Sequence, residues 1–136
     1  MESIKVSDCM THQFVSFLPT MSVVEAAMAL VKNELLGGPV VDGQGYLKGW
    51  ISEQDCISVV SQVMYYEDRV AMVEDVMTQD VTTVGPALNA MDIAENMKSH
   101  KRKVYPVVDQ ENKVVGVISR RHILKEMCER ISHPDH

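Results

Sequence analysis

The sequence predicts a mixed α/β (α+β) fold: two copies of a strand-helix-strand-strand-helix unit, residues 1–66 and 67–136, packed about a pseudo-twofold axis. Three observations carry this prediction. One ungapped shift lays Val6-Ser7-Asp8-Cys9-Met10-Thr11 on Val73-Glu74-Asp75-Val76-Met77-Thr78, Pro39-Val40-Val41-Asp42 on Pro106-Val107-Val108-Asp109, and Gly49-Trp50-Ile51-Ser52 on Gly116-Val117-Ile118-Ser119. Within each copy, apolar residues recur first at helical spacing and then in short β-branched runs with turn residues between them. Finally, 136 residues suffice for one sizeable core but not for two independent ones, so the halves are expected to share theirs. A duplicated unit folds against its copy and leaves two related clefts, and differences between the copies point to the cleft that works.

Each copy opens with a turn element, Asp-x-Met-Thr. Phe14-Val15-Ser16-Phe17 and Val81-Thr82-Thr83-Val84 follow as strands, rich in the β-branched and aromatic residues that fit extended backbone, with Pro19 and Pro86 just beyond. Ser22-Val23-Val24-Glu25 then sets a serine three residues before a glutamate, the reciprocal pair that satisfies free amides at a helix start; Asn89-Ala90-Met91-Asp92 is a looser counterpart. Behind these caps Val23, Ala26, Ala27, Leu30 and Val31, and in the second copy Ala90, Ile93, Ala94 and Met97, form helix faces that should lie on a sheet. The run from Pro39 to Ile51, turning through Gly43-Gln44-Gly45, reads as a hairpin, and Pro106 to Ile118 repeats it. Helical spacing from Asp55 to Met64 and from Ile123 to Ile131 closes each unit. Between the copies, Tyr65 to Met72 has no Gly or Pro and is expected to be a short ordered connection.

A net charge of -6 draws neither nucleic acid nor an anionic membrane to the surface as a whole. Three widely separated cysteines, Cys9, Cys56 and Cys128, stand in no metal-ligand spacing and suggest reduced, mostly buried thiols. The first residues lack a signal peptide's basic start and apolar core, and no run approaches the ~20 apolar residues of a membrane span, so a cytoplasmic protein is expected. The ten methionines, several of them at helical spacing, read as adaptable core filler.

Asp-x-Met-Thr, the proline after the first strand, Pro-Val-Val-Asp and Gly-x-Ile-Ser occur in order in both copies, from Val6 to about Ile131. Together they resemble the cystathionine beta-synthase (CBS) domain in its tandem form, the Bateman module. The resemblance implies a regulatory module that binds an adenosine compound (AMP, ADP, ATP or, less often, S-adenosylmethionine) between the repeats. It also implies a disc-like homodimer, paired head to head or head to tail. In the first copy, Gly49 to Asp55 looks like the family's ribose-binding motif, with Ser52 and Asp55 three residues apart at a strand-to-helix junction. A carboxylate there can accept hydrogen bonds from ribose hydroxyls. The second copy reads Ser119-Arg120-Arg121-His122: His122 replaces the aspartate, removing the ribose acceptor and adding potentially positive groups. Carried over residue by residue, the resemblance assigns ribose to Ser52 and Asp55, phosphate to Lys103 and Arg121, and adenine to Val81, Thr82 and Pro106. The first copy has Leu36 where Lys103 stands in the second; some nucleotide-binding members of the resembling family carry a basic residue there, so the resemblance implies weaker triphosphate binding here.

Other readings compete with these. Ser52-x-x-Asp55 is itself a helix cap, Lys101-Arg102-Lys103 a solvated edge, and Gly37-Gly38 a close backbone approach. Five histidines show neither i, i+4 pairing nor a nearby cysteine, so no metal site is expected. No nucleophile motif, acid-base pair or dinucleotide fingerprint is present, which argues against an enzyme. The main rival function is a ligand-free dimerisation scaffold, with an apolar face from Ile57, Val60, Met64 and Tyr65 on one closing helix and Ile123, Met127 and Ile131 on the other.

Overall fold

The structure is a computed structural model, described for residues 3–66, 71–101 and 103–133. Glu67 to Val70 of the expected connection, Arg102 of the basic stretch and the last three residues lie outside the described residues. In chain order the elements are α1 (Val6–Cys9), α2 (Val23–Lys32), β1 (Gly37–Val41), β2 (Leu47–Ser52), α3 (Glu53–Tyr66), α4 (Val73–Val76), α5 (Ala90–His100), β3 (Val104–Val108), β4 (Val114–Ser119) and α6 (Arg120–Ser132). The mixed α/β class and the twofold repetition of one unit are as expected. Left-handed backbone recurs at matched places: Glu34 (φ 54) with Lys101 (φ 55), and Gly45 (φ 91) with Asn112 (φ 68).

The chain forms two compact units, and they do not divide it where the sequence repeat does. One is Val15–Val81; the other joins Met1–Phe14 to Thr82–His136. Each copy's opening segment is therefore built into the unit that carries the other copy's helices and hairpin. In the Val15–Val81 unit, Val73 donates to the Met21 carbonyl (2.8 Å) and Val23 to the Ala71 carbonyl (2.9 Å), tying α4 to the start of α2. In the split unit, Val6 donates to Leu88 and Ala90 to Ile4, both at 2.8 Å. Beyond each one-turn helix, Thr78 exchanges two backbone hydrogen bonds with Trp50 on β2, and Thr11 exchanges two with Val117 on β4.

This exchange explains why the glycine of Gly-x-Ile-Ser accompanies the methionine of Asp-x-Met-Thr. A Cβ on Gly49 would lie 2.6 Å from Met77 Sδ and 2.7 Å from the Thr78 carbonyl oxygen. On Gly116 it would lie 2.8 Å from the Thr11 carbonyl oxygen and 3.2 Å from Met10 Sδ. The two motifs are packing partners across copies. The single shared core expected from chain length is accordingly corrected to two clusters, each drawing on both halves of the sequence. Val73 joins Phe17, Leu30 and Ile51, while Ile4, Val6 and Cys9 join Met97, Ile118 and Ile123.

The two hairpins form as expected, β1 antiparallel to β2 and β3 to β4, each with a register shift, between Val40 and Val41 and between Val107 and Val108. Asp42 and Asp109 hold the turns, Asp42 Oδ1 accepting from the Gln44 and Tyr46 amides and Asp109 Oδ1 from Glu111 and Lys113. The expected first strand of each copy is reduced to one parallel bridge, Phe17 to Val40 and Val84 to Val107. Proline gives the reason. Phe17 donates to the Pro39 carbonyl and its own carbonyl accepts from Val41, and the next rung of a parallel ladder would need an N–H on residue 39, which proline lacks. Pro106 stops the second run in the same way, after Val84 donates to its carbonyl. At α2, Ser22 Oγ accepts the Glu25 amide (3.1 Å), and at α5, Asn89 Oδ1 accepts the Met91 amide (2.8 Å).

Candidate functional site

Ser52 ends β2 and α3 begins at the next residue, which brings Ser52 and Asp55 onto one turn. Ser52 Oγ accepts the Asp55 amide and Asp55 Oδ2 accepts the Ser52 amide, both at 3.1 Å, with both residues half-buried. The capping box is complete, so the capping role of Asp55 is realised. It commits one carboxylate oxygen. Asp55 Oδ1 and the Ser52 hydroxyl proton remain to meet a ligand.

The second copy makes the same box with different chemistry. Ser119 Oγ accepts the His122 amide, and His122 Nδ1 accepts the Ser119 amide, both at 3.2 Å. An imidazole nitrogen accepts only when it carries no proton, so this cap requires the neutral Nε2–H tautomer. Burial, and then the positive charges of Lys125 and Arg121, push the His122 pKa below its ordinary value. The sequence suggests His122 as an added positive group; the structure corrects this to a neutral acceptor that stands in for a carboxylate.

A pH dependence follows. With the folded pKa lowered, the neutral imidazole contributes stability above the unfolded value of 6.5 that is lost as pH falls through the lower folded value. The urea midpoint should drop between pH 7 and about pH 5, and drop less in His122→Asn, whose side-chain oxygen still accepts the Ser119 amide without titrating. Equal drops in the two proteins would remove His122 from the account.

Lys103 and Arg121 are both exposed and stand at one end of the second hairpin. Val104 is paired with Ser119, and the Arg120 amide donates to the Lys103 carbonyl (3.3 Å). Of the residues expected at adenine, Val81 is half-buried, Thr82 is exposed and Pro106 is buried within β3. Ser52, Asp55 and Val81 belong to one compact unit, and Thr82, Lys103, Pro106 and Arg121 to the other.

Cys9 and Cys56 are buried and Cys128 is exposed. Burial, reinforced by Glu126 and Asp8, pushes the Cys9 thiol up to about 11, and burial and Asp55 raise Cys56, so both stay protonated and unreactive near neutral pH. Among the described residues no group of three or more His, Cys, Asp or Glu is placed to hold a metal ion, and no helix is long and apolar enough to cross a membrane. One expectation about the outer face is corrected. Ile123 is 2% exposed and packs in the core of the split unit, while its neighbour Leu124 points outward.

The family model described as CBS domain matches residues 6–62 and again 73–129. The chain belongs to the CBS domain family. As a CBS domain pair it is 29% identical over 114 residues to the CBS domain-containing protein YhcV of Bacillus subtilis, covering 84% of this chain and 79% of that one. It is 30% identical over 121 residues to inosine-5'-monophosphate dehydrogenase of Methanocaldococcus jannaschii, but there 89% of this chain spans only 23% of the enzyme. Homoserine O-acetyltransferase of Methanococcoides burtonii is likewise matched over 23% of its length. Among solved structures, CBSX2 in complex with AMP superposes with a TM-score of 0.82 at 27% identity, covering 95% of this chain and 98% of that one. The CBS domain pair of protein MJ0100 in complex with 5'-methylthioadenosine and S-adenosyl-L-methionine gives 0.79 at 25% identity, covering 95% and 99%.

Proposed function

We propose that this CBS pair is a cytosolic, non-catalytic sensor that binds one adenine nucleotide per chain, AMP or ADP in preference to ATP, and signals to a partner protein as a homodimer. Its ribose is held by Ser52 and Asp55, its phosphate by Lys103 and Arg121, and its adenine by Val81, Thr82 and Pro106. The observation that carries this reading is the difference between the two capping boxes. The first keeps a side-chain carboxyl with an oxygen to spare, while the second is closed by a neutral histidine, with Lys103 and Arg121 exposed at the same end of the β3–β4 hairpin. The structural neighbour in complex with AMP supports the ligand class. Binding acts by population shift: a nucleotide gripped at both ends favours one arrangement of the chain over others by its difference in affinity for them.

Calorimetric titration with AMP, ADP, ATP and S-adenosylmethionine tests the proposal. Saturable binding near one site per chain is expected, weakened roughly tenfold or more in Lys103→Ala/Arg121→Ala, because each cation makes charge-assisted bonds to phosphate. Since both side chains are exposed, the unfolding midpoint should not move. No heat with any of the four at millimolar concentration would instead favour the ligand-free scaffold, which the exposed Ile57, Met64 and Tyr65 of α3 and Ile131 of α6 support.

A further inference from the structure

Strand β2 turns Gly49 and Ile51 inward, where both are buried, and sets Trp50 and Ser52 on its opposite face. Across the hairpin their partners are Pro39 and Gly37, so all four residues share that face. Trp50 is half-buried and belongs to neither hydrophobic cluster. Its indole leans on Gly37 instead: a Cβ there would lie 2.5 Å from Trp50 Nε1 and 3.1 Å from Cε2. Because Gly37 is paired with Ser52, the ring lies beside the residue proposed to hold ribose. The second copy has no such arrangement. Val104 and Val117 stand at the matching places, so the first copy differs at both at once, with glycine for one valine and tryptophan for the other. A glycine inside a strand weakens it, and here it makes the space in which the indole lies. The copy that keeps the carboxylate of Asp55 is thus also the copy that carries an aromatic ring next to it on the hairpin.

We propose that Trp50 is a specificity-determining residue of the nucleotide site, its indole stacking on the base of a ligand whose ribose is held at Ser52 and Asp55. This rests on the nucleotide reading and adds a contact to it that selects for a purine. Two residues along a strand face span about 7 Å, which sets Trp50 and Ser52 apart by the reach of a ribose and the base joined to it. An aromatic face meets a flat base by offset stacking, and the larger purine offers more of it than a pyrimidine. Tryptophan has only two side-chain torsions, and a ring already resting on Gly37 loses little freedom when a ligand arrives. The contact ignores phosphate number, so it favours every adenine nucleotide over a sugar phosphate that lacks the base.

Trp50 is the chain's single tryptophan, so its fluorescence reports on this site alone. AMP should quench the emission of the wild-type chain, and ribose 5-phosphate, which has no base, should not. In calorimetry Trp50→Val should bind AMP roughly tenfold or more weakly, and Trp50→Phe, which keeps an aromatic face, should recover most of that loss. Gly37→Val/Trp50→Val rebuilds the pair present in the second copy. It should bind AMP as weakly as Trp50→Val at an unchanged urea midpoint, and it decides the matter if Trp50→Val is unfolded. Wild-type affinity for AMP in the valine variants, a phenylalanine variant as weak as valine, unchanged emission while AMP binds, or equal quenching by ribose 5-phosphate would each overturn the role of Trp50 and leave the nucleotide reading standing. A wild-type chain with no calorimetric response to AMP or ADP removes both.

Discussion

A fragment of residues 15–81 should unfold cooperatively in urea, and a fragment of residues 1–66, almost equal in length, should not. The first is a packing unit; the second is the sequence repeat. Fragment 1–66 keeps α2, β1, β2 and α3 but loses Val73, which is fully buried among Val23, Leu30 and Ile51. Losing that side chain alone removes about 1.5–3 kcal/mol of burial. Trp50 also loses both backbone partners at Thr78, and the surface of Gly49 that receives Met77 is laid open. A core of this size rarely supplies more than ~3–5 kcal/mol in total, so the combined loss is of the order of the whole stability. Ile4, Val6 and Cys9, retained in fragment 1–66, bring only apolar groups whose partners Ile118 and Ile123 are missing. Circular dichroism during urea titration reads the difference. If the two fragments unfold with the same midpoint and slope, the exchanged segments do not hold the units together.

Most of the fold was written in residues whose partners lie nearby in the chain. The Ser22 and Asn89 caps, the spacing of Val23, Ala26 and Leu30, and the aspartate turns at Asp42 and Asp109 all satisfy local requirements, and all form. Where the partner lies in the other copy, the sequence was silent. Asp-x-Met-Thr reads as a turn beside its own helix, and nothing at Met10 or Met77 announces that each packs on the other copy's glycine. The first strands fail for a reason the sequence did contain: Pro39 and Pro106 sit at the strand position whose donor a second rung would use. Helical spacing groups Ile123 with Ile131 but does not say which side of α6 faces the core; packing turns Ile123 inward and leaves Leu124 and Ile131 exposed. At the candidate site the pairing of Ser52 with Asp55 was legible from spacing. That His122 would make the same pair through a neutral nitrogen was not, because a histidine's charge depends on burial and on the cations beside it.

Asp55→Asn should separate the two roles that this site combines. An asparagine oxygen can still accept the Ser52 amide, so the cap survives and stability should stay within ~0.5 kcal/mol of wild type. Its other atom toward the ligand becomes an NH2 donor in place of an ionised acceptor, and ribose hydroxyls lose a charge-assisted bond worth about 1.5–3 kcal/mol, which is roughly a ten- to hundredfold loss of nucleotide affinity. Asp55→Ala removes both functions: about 1 kcal/mol of stability should go with the cap, and affinity should fall at least as far. The combination that identifies a ribose acceptor is thus an unchanged unfolding midpoint with weakened binding in the asparagine variant. Normal nucleotide binding in Asp55→Asn, with only Asp55→Ala destabilised, would reduce Asp55 to a helix cap and leave Lys103 and Arg121 as the sole support for a nucleotide. The amide variant discriminates where alanine cannot, because it preserves the acceptor that the backbone uses while changing the group that a ligand would meet.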